Sequence, residues 1–413
     1  MFKKLFILTI FSLLILILAK DIFYINTRFE YYGGYNDGGL SEWIINYQGG
    51  FTRRGVAGEI LFQLSNIFRV PANFLWQIIS VGSYLYLVFW FLAKTKDKFY
   101  LELVISSIVI GMPIFTGFVW KKDVFQILLF LLCLSIFKNK LNLFVKIFLI
   151  NIICIFAILN HESFFFYAIP PLFFISFTFW RKTETFTKKF FKSLSSFLLI
   201  FFTFIILLKI NMSATAEELT AIAYKIHYSW SNLWLITEGR IPNDLGNAIF
   251  YLSDTLVKNT RSIISYFFFI WFLLFILSFY YILQLNYIFK YKNKSFLLKI
   301  LLSQFIFLIP LFYVAGDWSR WFFYCTTSSL AIYLTNINYF TFKLKYFETI
   351  CNKFLNLEIF EKKPPTWPLF FIGFPYVNWF MRYLDIYLWV TPFGKFFTGF
   401  YKFILFFQKI FHL

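Results

Sequence analysis

Charge is scarce in this sequence. Charged residues make up 14% of the 413 positions, against about 25% in soluble domains. A water-soluble chain that is 60% hydrophobic could not cover its own surface. Cysteine is scarce as well, with four residues. Cys133, Cys154 and Cys325 lie in apolar runs and Cys351 in a basic segment, and no pair shares a long polar loop. A disulfide framework is therefore excluded, and CxxC metal spacing is absent. No small-residue cleavage site follows the first apolar run, which ends Leu18-Ala19-Lys20-Asp21. That run reads as a retained helix rather than a removed signal. The middles of the apolar runs hold almost no charge, so nothing resembles a proton relay across a membrane.

Apolar length is what the chain has in quantity. Crossing a bilayer takes about 20 apolar residues in a helix. Ten stretches qualify: about 5–22, 71–93, 99–119, 124–137, 141–159, 163–180, 193–210, 262–288, 296–315 and 322–340. Residues 369–390 and 398–412 are apolar too. They carry Arg382, Asp385 and Lys402, which makes them interfacial helices. The expected fold is all-α: a polytopic integral membrane helical bundle with about ten transmembrane helices. Residues 1–340 form the membrane domain, with long outer loops at about 22–69 and 211–261. Residues 341–413 form a basic, aromatic tail at the cytoplasmic face or interface.

Basic residues mark cytoplasmic loops. With the N-terminus inside, about two thirds of the 39 Lys and Arg and about a third of the 20 acids fall on the inner side. The entire net charge of +19 then lies on that face. The basic character is thus topogenic, and no nucleic-acid partner is implied. The expected location is the inner (cytoplasmic) membrane, with both termini cytoplasmic and membrane lipids as the surroundings.

Polar chemistry concentrates on the outer side. Three short outer turns each pair an acid with a base or histidine: Lys121-Lys122-Asp123, Asn160-His161-Glu162 and Gly316-Asp317-Trp318-Ser319-Arg320. Two lysines in a turn can simply snorkel to solvent, and Asp317 with Arg320 can form an i, i+3 salt bridge. Long loop one is rich in glycine and holds Asp37 and the run Thr52-Arg53-Arg54-Gly55. Thr52 can cap a helix beginning near Arg53, with Ile60, Leu61, Leu64, Ile67 and Phe68 along one apolar side. Two arginines in a first helical turn oppose the helix dipole. A bound phosphate would reverse that penalty, since helix N-termini and arginine forks both bind it. The other reading is an interfacial helix whose arginines meet lipid headgroups. Asp37, His161 and Glu162 are the candidate proton-transfer groups. Arg53, Arg54, Lys121, Lys122, Asp317 and Arg320 are the candidate phosphate-binding groups. No metal site is expected, and no cofactor is indicated.

On these residues the layout resembles the GT-C class of membrane glycosyltransferases and, more loosely, the bacterial O-antigen and exopolysaccharide polymerases. Asp37, the 53–68 helix, and Arg53, Arg54 and Arg320 match that plan. The resemblance implies a polyprenyl-phosphate-linked sugar as donor, with chemistry at the outer face. The paired-aspartate loop of some members has no close counterpart here, and no large soluble C-terminal domain follows the spans. A lipid-linked-glycan flippase or transporter, and a non-catalytic membrane assembly protein, are the competing classes.

Overall fold

The computed structural model describes residues 2–32, 43, 45–47, 54–70, 72–95, 101–180, 183–209, 266–284, 294–339, 349, 365–374, 390–398 and 401. Long loop two, Asp37, Thr52, Arg53 and most of the 341–413 tail lie outside the described residues.

Among the described residues the regular structure is helical, with no strand. In chain order the helices are α1 (Phe2–Tyr32), α2 (Gly55–Phe68), α3 (Ala72–Thr95), α4 (Leu101–Ile105), α5 (Met112–Thr116), α6 (Asp123–Lys138) and α7 (Leu143–Asn160). They continue with α8 (Ser163–Tyr167), α9 (Ile169–Phe179), α10 (Phe186–Lys209), α11 (Tyr266–Gln284), α12 (Lys294–Val314) and α13 (Trp318–Thr335). Four of these are long and apolar enough to cross a bilayer, over Phe74–Thr95, Leu143–Asn160, Phe186–Leu207 and Phe296–Tyr313. Ile169–Phe179 and Trp271–Leu283 are shorter apolar helices. Their outward faces are apolar: Phe144, Phe148 and Ile152 on α7 and Phe191, Leu199, Phe202 and Ile206 on α10 are all exposed. Such a surface suits lipid contact and would be a liability in water.

The interior is where polar groups collect. Helix α13 is the central element, buried on every side from Trp318 to Tyr333. Small side chains at Cys325-Thr326-Thr327-Ser328-Ser329 let neighbours approach closely. Thr327 donates to the Phe323 carbonyl and Ser328 to that of Tyr324 within the helix. Lysines close three helix C-termini. The Lys122 ammonium donates to the Asn160 carbonyl (3.3 Å), Lys138 to Thr335 (3.0 Å) and Lys146 to Phe137 (2.9 Å). A cation there meets orphan carbonyls and the negative end of the helix dipole. These contacts also fix direction. Helices α6 and α13 run one way and α7 the other, so Asp123, Asn160 and Trp318 share one end of the bundle.

Two expected spans are not continuous helices. The 99–119 stretch is broken into α4, an irregular turn over 106–111, α5 and a 3-10 turn at Phe118–Trp120. The break is buried and braced by neighbours: Tyr84 on α3 donates to the Ile110 carbonyl (2.8 Å) and Thr326 on α13 to Ile108 (2.9 Å). Non-helical backbone survives inside a membrane protein only where other groups satisfy it in this way. Gly111 is required at the break, because a Cβ there would lie 2.4 Å from the Ile105 carbonyl oxygen. The 163–180 stretch is divided into α8 and α9 around Ala168, just ahead of Pro170 and Pro171. A proline supplies no amide hydrogen and crowds the preceding turn.

Candidate functional site

At the end of the bundle shared by Asp123, Asn160 and Trp318, segments distant in sequence bring their charges into one cluster. Helix α2 starts at Gly55, two residues later than expected, and Arg54 caps it in the left-handed conformation (φ 66°). That conformation is costly for a residue with a Cβ. In this conformation its carbonyl is held by the buried Lys122 ammonium at 2.8 Å. Arg54 is therefore not a first-turn residue opposing the dipole. Its guanidinium instead grips Glu162, Nε to Oε2 at 2.9 Å and Nη2 to Oε1 at 2.5 Å. Both side chains stay about one-fifth exposed, 21% and 17%.

The expected apolar side of α2 is also redistributed. Gly55, Ala57, Gly58 and Leu61 face inward, while Ile60, Ile67 and Phe68 are exposed. The small residues are there because loop one packs against them. A Cβ on Gly58 would lie 1.8 Å from the Ile45 carbonyl oxygen. On the same contact the Tyr47 amide donates to Glu59 (3.1 Å). Burial, and then the Glu59 charge, push the Tyr47 hydroxyl up to about 12. Trp43 completes the anchor: its indole N–H and that of Trp76 both donate to the Trp120 carbonyl at 3.1 Å.

Lys122 does not snorkel. It is fully buried, lies 5.8 Å from the Trp43 ring centroid, and ties loop one to the end of α7. Lys121 beside it is partly exposed. Below the rim, Arg320 donates from Nε to Asp123 (2.8 and 3.0 Å) and from Nη1 to Asp317 (3.0 Å). The i, i+3 pair at the start of α13 is thus present as one arm of a larger ion cluster. Asp123 is completely buried, Arg320 is 3% exposed and Asp317 28%. Arg320 Nη2 also approaches His161 Nε2 at 3.4 Å, and His161 Nδ1 accepts the Ser163 amide at 3.2 Å.

Arg54, Lys122, His161, Glu162, Asp317 and Arg320 therefore belong to one connected group. Asp37 and Arg53 lie outside the described residues. Asp123 and Asn160 were named in the sequence only as members of their turns and not as candidate site residues, yet Asp123, like Lys122, is a completely buried charge of the cluster. Its signals in the sequence are membership of a charged outer turn and an acid in the first turn of a helix, the latter common for dipole reasons alone. Its partner is 197 residues away. Among the described residues no group of His, Cys, Asp and Glu is placed to hold a metal ion. Chemically the cluster pairs fixed cations with carboxylates at a boundary that is dry below and open at Arg54, Glu162 and Asp317. Such a site can hold an anion and move a proton.

Comparisons with family models, with curated proteins and with solved structures return no match for this chain.

Proposed function

We propose that the protein transfers or polymerises sugars carried on a polyprenyl (di)phosphate, at the outer boundary of the cell membrane. The observation that carries this reading is the meeting of Arg54–Glu162 with Asp123–Arg320–His161 at one end of the bundle. An isolated outer turn has no need of paired charges, and ionised groups near hydrocarbon are expensive. One anionic, proton-transferring substrate gives a single cause for all of them.

In this reading Arg54 releases Glu162 as it engages the incoming phosphate, with Arg320 and Lys121 completing the cationic face. Glu162 then takes the proton from the acceptor hydroxyl. The acceptor oxygen bonds to the anomeric carbon, the bond from that carbon to the phosphate oxygen breaks, and the phosphate leaves with the electron pair. The cations stabilise the charge that develops on it. The accompanying topology has about ten spans and cytoplasmic termini in the inner membrane. Reporter fusions at 37 and 230 would then read outside, and those at 97, 185 and 293 inside.

The direct test uses the purified chain in nanodiscs with a radiolabelled polyprenyl-diphosphate sugar and a lipid-linked acceptor. Label should move to the acceptor, and Glu162→Gln should lower turnover by roughly 100-fold or more, the range for a general base. A second reading, a non-catalytic assembly protein, is favoured by one observation: Arg320 already spans two carboxylates, as in a purely structural pair. It predicts no label transfer at all, with glycan assembly lost only when the protein is removed or unfolded.

A further inference from the structure

The chain after α13 does not stay at the end where that helix delivers it. Thr335 closes α13 beside Lys138, at the end of the bundle opposite Asp123, Asn160 and Trp318. Residues 365–374 lead back. The Tyr281 hydroxyl on α11 donates to the Pro365 carbonyl at 2.8 Å. At the far end of this stretch the Phe374 ring stacks on Phe322 of α13 (centroids 4.3 Å apart) and tilts against Trp271 of α11 (5.7 Å). Trp271 in turn meets Trp318, the first residue of α13, at 5.5 Å. From Tyr281 to Trp271 is about 15 Å along α11, at about 1.5 Å per residue. The stretch therefore climbs about half of a bilayer core that is about 30 Å thick. Helix α12, long and apolar enough to cross, fixes the depth. Phe275, one turn from Trp271, lies against Phe305 and Phe312 of α12 at 5.6 and 5.7 Å.

A second arm, residues 390–398, runs beside the first. A Cβ on Gly373 would lie 2.5 Å from the Val390 carbonyl oxygen, so the two backbones touch there. Further along, Phe393 packs on Phe371 (4.7 Å) and Phe370 (6.1 Å), and Phe397 on Phe393 (4.6 Å). Pairing of 373 with 390, then of 370 and 371 with 393, makes the arms antiparallel. The first arm is not α-helical; it holds a 3-10 turn over Trp367–Phe370. Pro365 and Pro368 bring no amide hydrogen to it. The amides of Leu369 and Phe371 bond to the Thr366 and Pro368 carbonyls. Backbone of this kind can lie at membrane depth because its polar groups are few and partnered. Leu369, Ile372 and Phe374 are buried against the bundle, while Trp367, Phe371, Phe396 and Phe397 are exposed.

We propose that residues 365–374 and 390–398 form a re-entrant pair inside the membrane, with Trp367, Phe371, Phe396 and Phe397 against lipid acyl chains. A cytoplasmic or interfacial tail would leave these four rings in water or among headgroups. At the depth of α12, beside a helix surface that is itself apolar, they meet hydrocarbon instead. Lys362 and Lys363 precede the first arm, the pattern of a cytoplasmic entry. The pair reaches Phe322, one turn into α13, and so braces the start of the helix that carries Arg320. The inference stands apart from the sugar-transfer reading.

Spin labels on the full chain in nanodiscs test it. They are attached at Trp367→Cys, Phe371→Cys and Phe397→Cys in a Cys351→Ser background, the other three cysteines being buried. Collisions with oxygen and with a water-soluble nickel chelate are compared with two references. Phe148→Cys lies on the exposed face of α7, and Lys140→Cys lies in the exposed turn between α6 and α7. All three labels should match Phe148→Cys, with frequent oxygen and rare nickel collisions. Nickel collisions as frequent as at Lys140→Cys would place the segment in water and overturn the proposal. Rare collisions with both reagents would mean that a second copy or another protein covers the face, which overturns the lipid assignment. A chain labelled at both Phe371→Cys and Phe397→Cys should show dipolar broadening that neither single variant shows. Oxygen-accessible labels without that broadening overturn the paired arms. Where Phe397→Cys lowers the unfolding midpoint, exposed Phe396 takes its place.

Discussion

Arg54 and Glu162 are 108 residues apart, and their side chains meet through two parallel hydrogen bonds. The pair joins long loop one to the turn between α7 and α8. Bidentate geometry is the strong form of this interaction, but both groups remain partly exposed, which screens it. A double-mutant cycle with Arg54→Ala and Glu162→Ala should give a coupling of about 1 kcal/mol in detergent unfolding. Additive effects of the two substitutions would show that the two segments are held by other contacts.

Asp123 and Arg320 are a different case, because both are buried. Removing one partner of a buried pair leaves an uncompensated charge and costs about 3–5 kcal/mol. Asp123→Asn should therefore unfold at a clearly lower temperature than wild type. Asp317→Asn should cost far less, since that carboxylate reaches solvent. Comparing the two by thermal unfolding separates a structural ion cluster from one held mainly by Asp317.

Lys122→Met keeps the length of the side chain and removes its donors. The part-buried Arg54 carbonyl and the buried Asn160 carbonyl then lose this donor, at a cost of about 1–3 kcal/mol. Loop one should loosen, because the Arg54 carbonyl is one of its tethers. A cysteine placed at buried Ile45 should react with a maleimide faster in the Lys122→Met background than in its absence. An unchanged rate would mean that Trp43 and Glu59 hold the loop alone.

Two glycines in helices should answer oppositely to alanine. Gly82 in α3 has open space where a Cβ would go, so Gly82→Ala should be neutral or stabilising by up to about 1 kcal/mol. Gly58 in α2 faces the Ile45 carbonyl, so Gly58→Ala should destabilise despite the same gain in helix propensity. Unfolding midpoints that shift alike would contradict the docking of loop one on α2.

The sequence by itself determined the helical class, the apolar lengths and the residues at which charge gathers. Those follow from local properties: a run of apolar side chains needs no partner to be recognised, and a polar turn between two such runs must sit at a water boundary. This is why His161, Glu162, Asp317 and Arg320 were legible one turn at a time. Only the tertiary structure decided which charges meet. Asp123 became the main acceptor for Arg320 because α6 and α13 point the same way. Arg54 turned out to be a left-handed cap gripping Glu162, with its carbonyl held by the Lys122 ammonium from the start of another helix. The broken course of 101–120 was hidden for the same reason. Its apolar composition suits a continuous span, and the hydroxyls of Tyr84 and Thr326, brought in from other helices, join the segment's own turn hydrogen bonds in letting its backbone leave the helix inside the bundle.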